Sequence, residues 1–278
     1  MSWRVSVIID PRVIKLGLVI DGETTWHSDL FIEAQGVKYS SPNLGSCDIT
    51  VYNLSTKTMN FILKETSPRA AITDRISVIL DVGRESIGVS RLYVGVVRRS
   101  TRTQGPDVGL SLKCFYGITN KNKDVVRSIR GMAPLSVIAG MVAEDCGYSL
   151  SFEIEDKNIS SYAFSGTAYG QVEKLEELAN AEVYIDNDVL FVKSPTSPST
   201  KSSVKTVSSK TGLLEVFRTN AGVKAIMLYQ PEIAIGSTIN IDSEKNPDIN
   251  GLYIAYKVQF DVSNRSKPFY LIVEARVS

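Results

Sequence analysis

The fold is decided by the stretch from Ala133 to Lys193, APLSVIAGMVAEDCGYSLSFEIEDKNISSYAFSGTAYGQVEKLEELANAEVYIDNDVLFVK. Pro134 opens a helical period, because apolar residues then recur at three- and four-residue spacing until Gly147 ends the helix. A second helix is predicted after Gly166-Thr167, with an apolar face opposite a face of glutamate and lysine. The predicted buried faces are Leu135, Ile138, Ala139, Val142 and Ala143 in the first helix, and Val172, Leu175, Leu178 and Ala179 in the second.

Strand patterns surround these two helices. Residues 148–154 alternate apolar and polar side chains, and residues 162–164 are a short extended piece. A hairpin closes the stretch, with strands at 183–185 and 189–192 around the turn Asp186-Asn187-Asp188. Two amphipathic helices on three or four strands predict a small α/β layer with its own core.

The remainder of the chain reads as strands and turns. Before the α/β layer, strands are predicted at residues 5–9, 13–20, 29–36, 47–52, 76–82, 91–100 and 108–115, with a short helix at 56–63 capped by Ser55. Residues 121–130 are a polar connector, and the Ser-, Thr- and Pro-rich residues 194–203 are a linker. Further strands are predicted at 223–229, 238–242, 251–258 and 269–277, and no short-period repeat is found.

These patterns predict a mainly β fold with an α/β insert and three parts. Residues 1–118 form a β-barrel-like or sandwich-like block, residues 119–198 form the small α/β domain and its linker, and residues 199–278 form a second β block. The length of 278 residues is ample for two or three domains.

The composition excludes several classes of partner. A net charge of +1 favours neither nucleic acid nor an acidic surface, and no apolar run reaches the roughly 20 residues of a membrane helix. The N-terminus lacks the apolar core and cleavage site of a signal peptide, so we expect synthesis in a cytoplasm.

No group of residues in the sequence has the composition and spacing of a catalytic, cofactor or metal site. His27 is the only histidine, which excludes a histidine-pair metal site, and no Gly-Lys-Ser/Thr follows a glycine-rich loop. The remaining candidates each have an ordinary structural interpretation. They are the acids Glu173, Glu176 and Glu177 on a helix face, the acids Glu153, Glu155 and Asp156 at a strand end, the basic group Arg98, Arg99 and Arg102, and the isolated thiols Cys47, Cys114 and Cys146. The sequence therefore predicts no catalytic residues, no cofactor site and no metal site.

Three stretches, taken in order, resemble a known family. The first is Ser41-Pro42-Asn43 leading into DITVYNLS at 48–55. The second is YAFSG at 162–166 before the second helix, with YIDN at 184–187 after it. The third is TGLL at 211–214, followed by Gly222-Val223, Leu228, Pro231, Ile235-Gly236, Ile241-Asp242-Ser243 and NGLY at 250–253. Together they resemble the baseplate hub proteins of contractile-tailed bacteriophages, relatives of the late control D proteins and of the first part of type VI secretion spike proteins.

The resemblance implies a structural virion protein of the tail baseplate, with tail-tube-like β-barrel blocks flanking the α/β domain and no active site. It implies a ring of three subunits that matches a hexameric tail tube on one side and a trimeric spike on the other. The implied partners are further copies of the chain, the tail tube protein, the spike protein and other baseplate proteins, without a membrane or specific nucleic-acid binding. The chain is short for such a hub, which leaves a hexamer of single-barrel subunits, or an incomplete last block, as open alternatives.

Two other functions compete with this interpretation. A cell-wall or glycan-binding module of a tail or secretion machine would need an exposed aromatic platform, and Trp3 and Trp26 are the only tryptophans. A wall-cleaving hydrolase is disfavoured because the residues it needs are missing.

Overall fold

The computed structural model describes residues 10–42, 45–70, 75–116, 123–200, 202–266 and 268–278. The strand predicted at residues 5–9 lies outside these ranges. In the first part of the chain the elements are β1 (Arg12–Ile20), β2 (Glu23–His27), β3 (Ile32–Tyr39), β4 (Ser46–Tyr52), α1 (Thr56–Glu65), β5 (Ile76–Arg84), β6 (Gly88–Arg102) and β7 (Gly109–Tyr116).

The α/β unit follows, with β8 (Asp124–Ser128), β9 (Met132–Pro134), α2 (Leu135–Cys146), β10 (Ser149–Glu153), β11 (Asn158–Ser160), β12 (Ala163–Thr167), α3 (Ala168–Ala179), β13 (Glu182–Asp186) and β14 (Val189–Lys193). The last part contains β15 (Lys205–Ser208), β16 (Leu213–Arg218), β17 (Gly222–Leu228), β18 (Thr238–Asp242), β19 (Gly251–Ser263) and β20 (Phe269–Val277). Single 3₁₀ turns lie at Ser209–Thr211 and Pro247–Ile249.

The two predicted helices form with the predicted ends. Gly147 ends α2 in the left-handed conformation, and the Thr167 hydroxyl accepts a hydrogen bond from the Gly170 amide at 3.1 Å at the start of α3. Asn187 and Asp188, both with positive φ, make the two-residue turn between β13 and β14. The helices bury their apolar faces on the sheet β10-β14-β13, in which β10 runs parallel to β14.

The predicted connector at residues 121–130 is wrong over residues 124–128, because β8 lies there and pairs with β12. Val125 points into the core of the α/β unit, whereas Asp124, Val126 and Ser128 are exposed. A strand with a single buried apolar residue has the composition of a polar loop, so the sequence showed no alternating strand pattern there.

The remaining strands form one large sheet rather than separate barrels. Among the described residues its order is β16-β17-β20-β19-β3-β4-β7-β6-β5-β1-β2, and β15 and β18 attach to β19 through β18. The described strands pair in a line without closing on themselves, so the expected barrel closure does not occur within one chain. The mainly β fold with a two-helix α/β insert is confirmed.

One core lies under this sheet and unites strands from both ends of the chain. In β4 every second residue is buried, namely Cys47, Ile49 and Val51, as expected for a strand with one covered face. Helix α1, capped by Ser55 as predicted, adds Met59 and Ile62 to the same core. No helix in the described ranges is long and apolar enough to cross a membrane.

Candidate functional site

The three thiols are buried and free. Cys47 lies opposite Cys114 in the β4–β7 ladder, and burial raises the pKa of both thiols. Burial likewise raises the pKa of Cys146 to about 11, so all three remain protonated at neutral pH. The described residues also contain no group of three or more His, Cys, Asp or Glu side chains that could hold a metal ion.

The acids near the end of β10 have structural partners. Asp156 accepts hydrogen bonds from the Ser136 amide at 3.0 Å and from the Ser136 hydroxyl, which lower the pKa of the Asp156 carboxyl and fasten the first turn of α2. Glu153 accepts from the Thr200 amide at 3.0 Å and from the Ser199 hydroxyl at 3.2 Å. Burial opposes ionisation of Glu153, but its hydrogen bonds prevail and lower the pKa.

The other predicted candidates lie apart from one another. Glu173 and Glu177 are exposed on α3, where Glu177 accepts a hydrogen bond from Lys174 at 2.7 Å. His27 lies at the end of β2, and its buried Nε2 has no hydrogen-bond partner among the described residues. The structure therefore does not bring the candidate residues together into a catalytic group. The remaining candidates are the contact between the α/β unit and the main sheet and the edges of that sheet.

An ionic network fastens the α/β unit to the main sheet. Lys38 of β3 contacts Asp186 of β13 at 2.6 Å, and both side chains are at least 90% buried. Glu182 accepts hydrogen bonds from Ser40 at 2.7 Å and from Lys193 at 3.3 Å, and it pairs with Arg276 of β20 at 2.5 Å. The α/β unit thus contacts strands from both ends of the chain.

Apolar packing reinforces this attachment. Tyr184 of β13 is buried in the core of the main sheet and stacks on Phe191, with ring centroids 5.0 Å apart. The Ser199 amide donates to the Gly236 carbonyl at 3.0 Å, so the predicted linker is held against the body of the protein. The described part of residues 194–203 contains neither helix nor strand, as expected for a linker.

The main sheet contains the same four-strand arrangement twice. Strands β3 and β4 form a hairpin, and β6 and β7 form a second hairpin that joins it through β4 and β7, giving the order β3-β4-β7-β6. Strands β16, β17, β19 and β20 repeat this arrangement as β16-β17-β20-β19. The two sets meet where β19 pairs antiparallel with β3.

A β-bulge occurs at the same place in both sets. In β6 the pairing with β7 passes from Val97 to Arg99 and leaves Arg98 as the extra residue. In β19 the pairing with β20 passes from Ala255 to Lys257 and leaves Tyr256 as the extra residue. The row Phe217, Lys224, Glu274 and Lys257 across one set therefore corresponds to the row Gln35, Asp48, Lys113 and Arg99 across the other.

The two long strands differ in one respect. The first part of β19 pairs with β18 and its second part, from Lys257, pairs with β3. The first part of β6 pairs with β5 up to Val96, and beyond it the Ser100 hydroxyl lies 2.6 Å from the Thr66 hydroxyl at the end of α1. This part of β6 contains Arg98, Arg99 and Arg102, the basic group seen in the sequence.

Two edges are open in the described residues, at the two ends of the sheet. Strand β2 ends it on one side and exposes Trp26, which packs over Gly17. Strand β16 ends it on the other side and exposes Leu214 and Phe217. Beside β16 lies a groove of about 300 Å³ between residues 213–217 and the segment 243–246. Unpaired edges of this kind are templates for pairing with another chain.

Between these edges the face of the sheet opposite its core carries polar residues together with the half-buried Ile226 and Ile272. Gln35, Asp48, Gln259 and Asp261 line a shallow depression of about 190 Å³ at the junction of the two sets. Lys257 and Glu274 pair beside it at 2.8 Å.

Comparison with known proteins identifies relatives of this arrangement. Residues 13–275 match the protein family described as "Baseplate hub gp41". No curated protein matches the chain.

Solved structures share its fold at low sequence identity. A tail protein from Neisseria meningitidis superposes with a TM-score of 0.62 at 8% identity, over 95% of this chain and 96% of that one. The 43 kDa tail protein of prophage MuSo2 from Shewanella oneidensis has a TM-score of 0.64 at 7% identity, over 95% and 98% of the two chains. An E. coli component of the type VI secretion system, described as similar to the T4 bacteriophage tail proteins gp27 and gp5, has a TM-score of 0.54 at 8% identity, over 100% and 77%.

Proposed function

The chain belongs to the baseplate hub gp41 family and is a structural protein of the phage tail baseplate, and from this premise we propose that three copies form a closed ring between the tail tube and the central spike. In this proposal residues 1–118 and 199–278 are two tube-like blocks, and residues 119–198 are the insert between them. The ring is a component of the virion, made in the host cytoplasm.

The observation that carries the proposal is the twofold occurrence of the four-strand set. Each chain supplies β3-β4-β7-β6 and β16-β17-β20-β19, with matching bulges in β6 and β19. Three chains then supply six similar sets, which is the number that a hexameric tube presents. The open edges of the sheet support association, because ring closure removes unpaired edges.

The proposed partners follow from this geometry. The end of the ring with six similar strand sets contacts the tail tube protein. The threefold symmetry of the ring matches that of a trimeric spike. The similarity of the fold to a type VI secretion component supports a position beside a spike. Other baseplate proteins complete the assembly around the ring.

We also propose that the hub has no enzymatic activity. The acids examined as catalytic candidates fasten local structure, as Asp156 does at α2 and Glu153 does at residues 199–200. The buried thiols lack the thiolate that nucleophilic attack requires. A turbidity assay on isolated cell walls tests this, and clearing by the purified chain would contradict it.

Native mass spectrometry of the chain with its tube and spike partners tests the ring. We expect three copies of the 30.5 kDa chain per complex. Six copies would favour single-block subunits in a hexamer, and a single copy in intact tails would refute the ring. Imaging of tails that carry a tagged chain provides the location, and a tag away from the tail tip would contradict the hub position.

A further inference from the structure

We propose that Trp26 is the platform of a carbohydrate site, where a β-1,4-linked pyranose chain stacks on the indole. The site is a stretch of one face of the main sheet, formed by β2, β1, β5 and β6. One chain supplies all of its residues, so the site does not depend on the proposed ring.

Gly17 makes room for the indole of Trp26. The two residues lie directly opposite each other in β1 and β2. A Cβ at Gly17 would lie 3.2 Å from Cζ3 and 3.3 Å from Cε3 of Trp26, so a larger residue would crowd the ring. The indole covers Gly17, which is buried although it lies on the face opposite the core residues Leu16 and Leu18. Trp26 itself remains 46% exposed, so the side of the ring away from Gly17 is accessible to a ligand.

The indole continues an apolar row that crosses four strands. Gly17 lies opposite Ile79 of β5, and Ile79 lies opposite Val94 of β6. Ile79 and Val94 are half-buried, so this row is partly open to solvent. Neighbouring strands are about 4.8 Å apart, which gives the row a length of about 14 Å. A surface of this shape suits an extended ligand.

Polar side chains border the apolar row on both sides. Each bordering row is two residues further along the strands, about 7 Å away. The row on one side consists of Lys15, Asp81 and Arg91, and the row on the other side contains Thr24 and Ser77 beside Val19. Lys15 and Thr24 are exposed, whereas the Asp81 carboxylate accepts a hydrogen bond from Arg91.

This arrangement matches the chemistry of a pyranose ring. In β-1,4-linked glucose and N-acetylglucosamine the ring substituents are equatorial, so each ring has apolar faces of C–H groups and a polar rim. The C–H face would pack on the indole and the apolar row, and Lys15 and Thr24 would hydrogen-bond the rim. A protein anchor is favoured by a desolvated pocket with a surrounding ring of contacts, whereas here charged and hydroxyl groups border a narrow apolar row.

Saturation-transfer difference NMR on the purified full-length chain tests the site, with chitohexaose and cellohexaose as probes. We expect transfer to the sugar C–H protons in wild type. Trp26→Ala should raise the Kd by about tenfold or more, because it removes the stacking surface. Lys15→Ala should raise the Kd by about threefold, through loss of a hydrogen bond. The matched control is Phe217→Ala, since Phe217 is an aromatic residue of similar exposure, 49%, on the opposite edge strand. This control should bind as wild type does.

The outcomes separate a carbohydrate platform from other roles of the indole. Absence of transfer to both probes in wild type would overturn the proposal, as would equal binding by wild type and Trp26→Ala. Equal losses in Trp26→Ala and Phe217→Ala would overturn it as well, because the sugar would then not select the Trp26 face. Loss of tail assembly in Trp26→Ala, with no sugar bound by wild type, would assign the indole to a protein contact instead. Should circular dichroism show that Trp26→Ala is unfolded, Trp26→Leu keeps an apolar cover over Gly17 without the aromatic ring, and the same outcomes apply.

Discussion

Removal of the buried Asp186 carboxylate should destabilise the chain far more than removal of an exposed one. Lys38 and Asp186 meet at 2.6 Å with side chains only 6% and 10% exposed, in the contact between the α/β unit and β3. Among the described hydrogen bonds, Asp186 is the only acceptor for the Lys38 ammonium. The Asp186→Asn variant keeps the size of the side chain but leaves that ammonium buried without a counter-charge.

The expected cost follows from burial. Breaking a buried pair by removing one partner typically costs about 3–5 kcal/mol, because the remaining charge stays out of water. The matched control is Glu177→Gln, since Glu177 meets Lys174 at a similar 2.7 Å but with side chains 68% and 45% exposed. An exposed pair contributes about 0.5 kcal/mol or less. Replacing both buried partners, as Lys38→Met with Asp186→Leu, should restore most of the lost stability, because no charge is then stranded.

Urea unfolding followed by circular dichroism measures all four proteins. We expect the free energy of unfolding to fall by several kcal/mol in Asp186→Asn, to change little in Glu177→Gln, and to recover in the double variant. Equal and small losses of unfolding free energy in Asp186→Asn and Glu177→Gln would refute the reasoning, since burial would then not change what an ion pair contributes to stability. A double variant as unstable as the single one would show that the loss comes from packing rather than from charge.

Four other outcomes are expected. Leu175→Ala, in the core of the α/β unit, should lower the free energy of unfolding by roughly 2–5 kcal/mol, and a loss below 1 kcal/mol in a urea titration would contradict its burial. The isolated segment 123–194, which holds that core, should show helical circular dichroism, and a random-coil spectrum would disprove its independence. The three thiols should resist a thiol reagent at pH 8 until the chain unfolds, and rapid labelling of the native protein would contradict their burial. The hydrogen bond from Arg127 lowers the pKa of the Asp145 carboxyl in the folded protein. The pair therefore stabilises the fold fully above the pKa of aspartate in the unfolded chain, near 3.9, and this stabilisation is lost as pH falls through the lower pKa of the folded state. Asp145→Asn should therefore be less stable than wild type at pH 6 and approach it at pH 2, and a constant difference would contradict this.

Local patterns in the sequence were sufficient to predict the helices and strands whose apolar residues recur at regular spacing. Both helices of the α/β unit and the hairpin around Asn187 could be predicted because caps, turn residues and apolar spacing act within a few residues. Strand β4 was equally clear, since one buried face gives strict alternation. Strands β2 and β8 were missed, because edge strands with few inward apolar residues resemble polar loops.

The attachment of the α/β unit could not be predicted from the sequence. Lys38, Glu182, Asp186 and Arg276 are separated by up to 238 positions, and each lies in a strand where a charged residue normally faces water. Only the packing of the sheet β10-β14-β13 against the main sheet brings β13 close to β3 and β20 and buries Lys38 and Asp186. The basic group at Arg98, Arg99 and Arg102 was visible in the sequence, but its position on β6 at a β-bulge was not.

The four-strand set occurs twice in the chain, in two unrelated sequences. Corresponding residues differ in chemistry, as Thr101 differs from Gln259 and Phe217 from Gln35, so the repeat lies in topology and bulge position rather than in residue identity. In the chain, β19 and β3 are tethered, and pairing between them competes only with chain entropy. Association of two copies also loses translational and rotational freedom, which costs several kcal/mol. A contact between sets of two copies would therefore be weaker than the tethered β19–β3 junction. We infer that contacts with the tube and spike supply the difference, so that the ring closes where the tail is built.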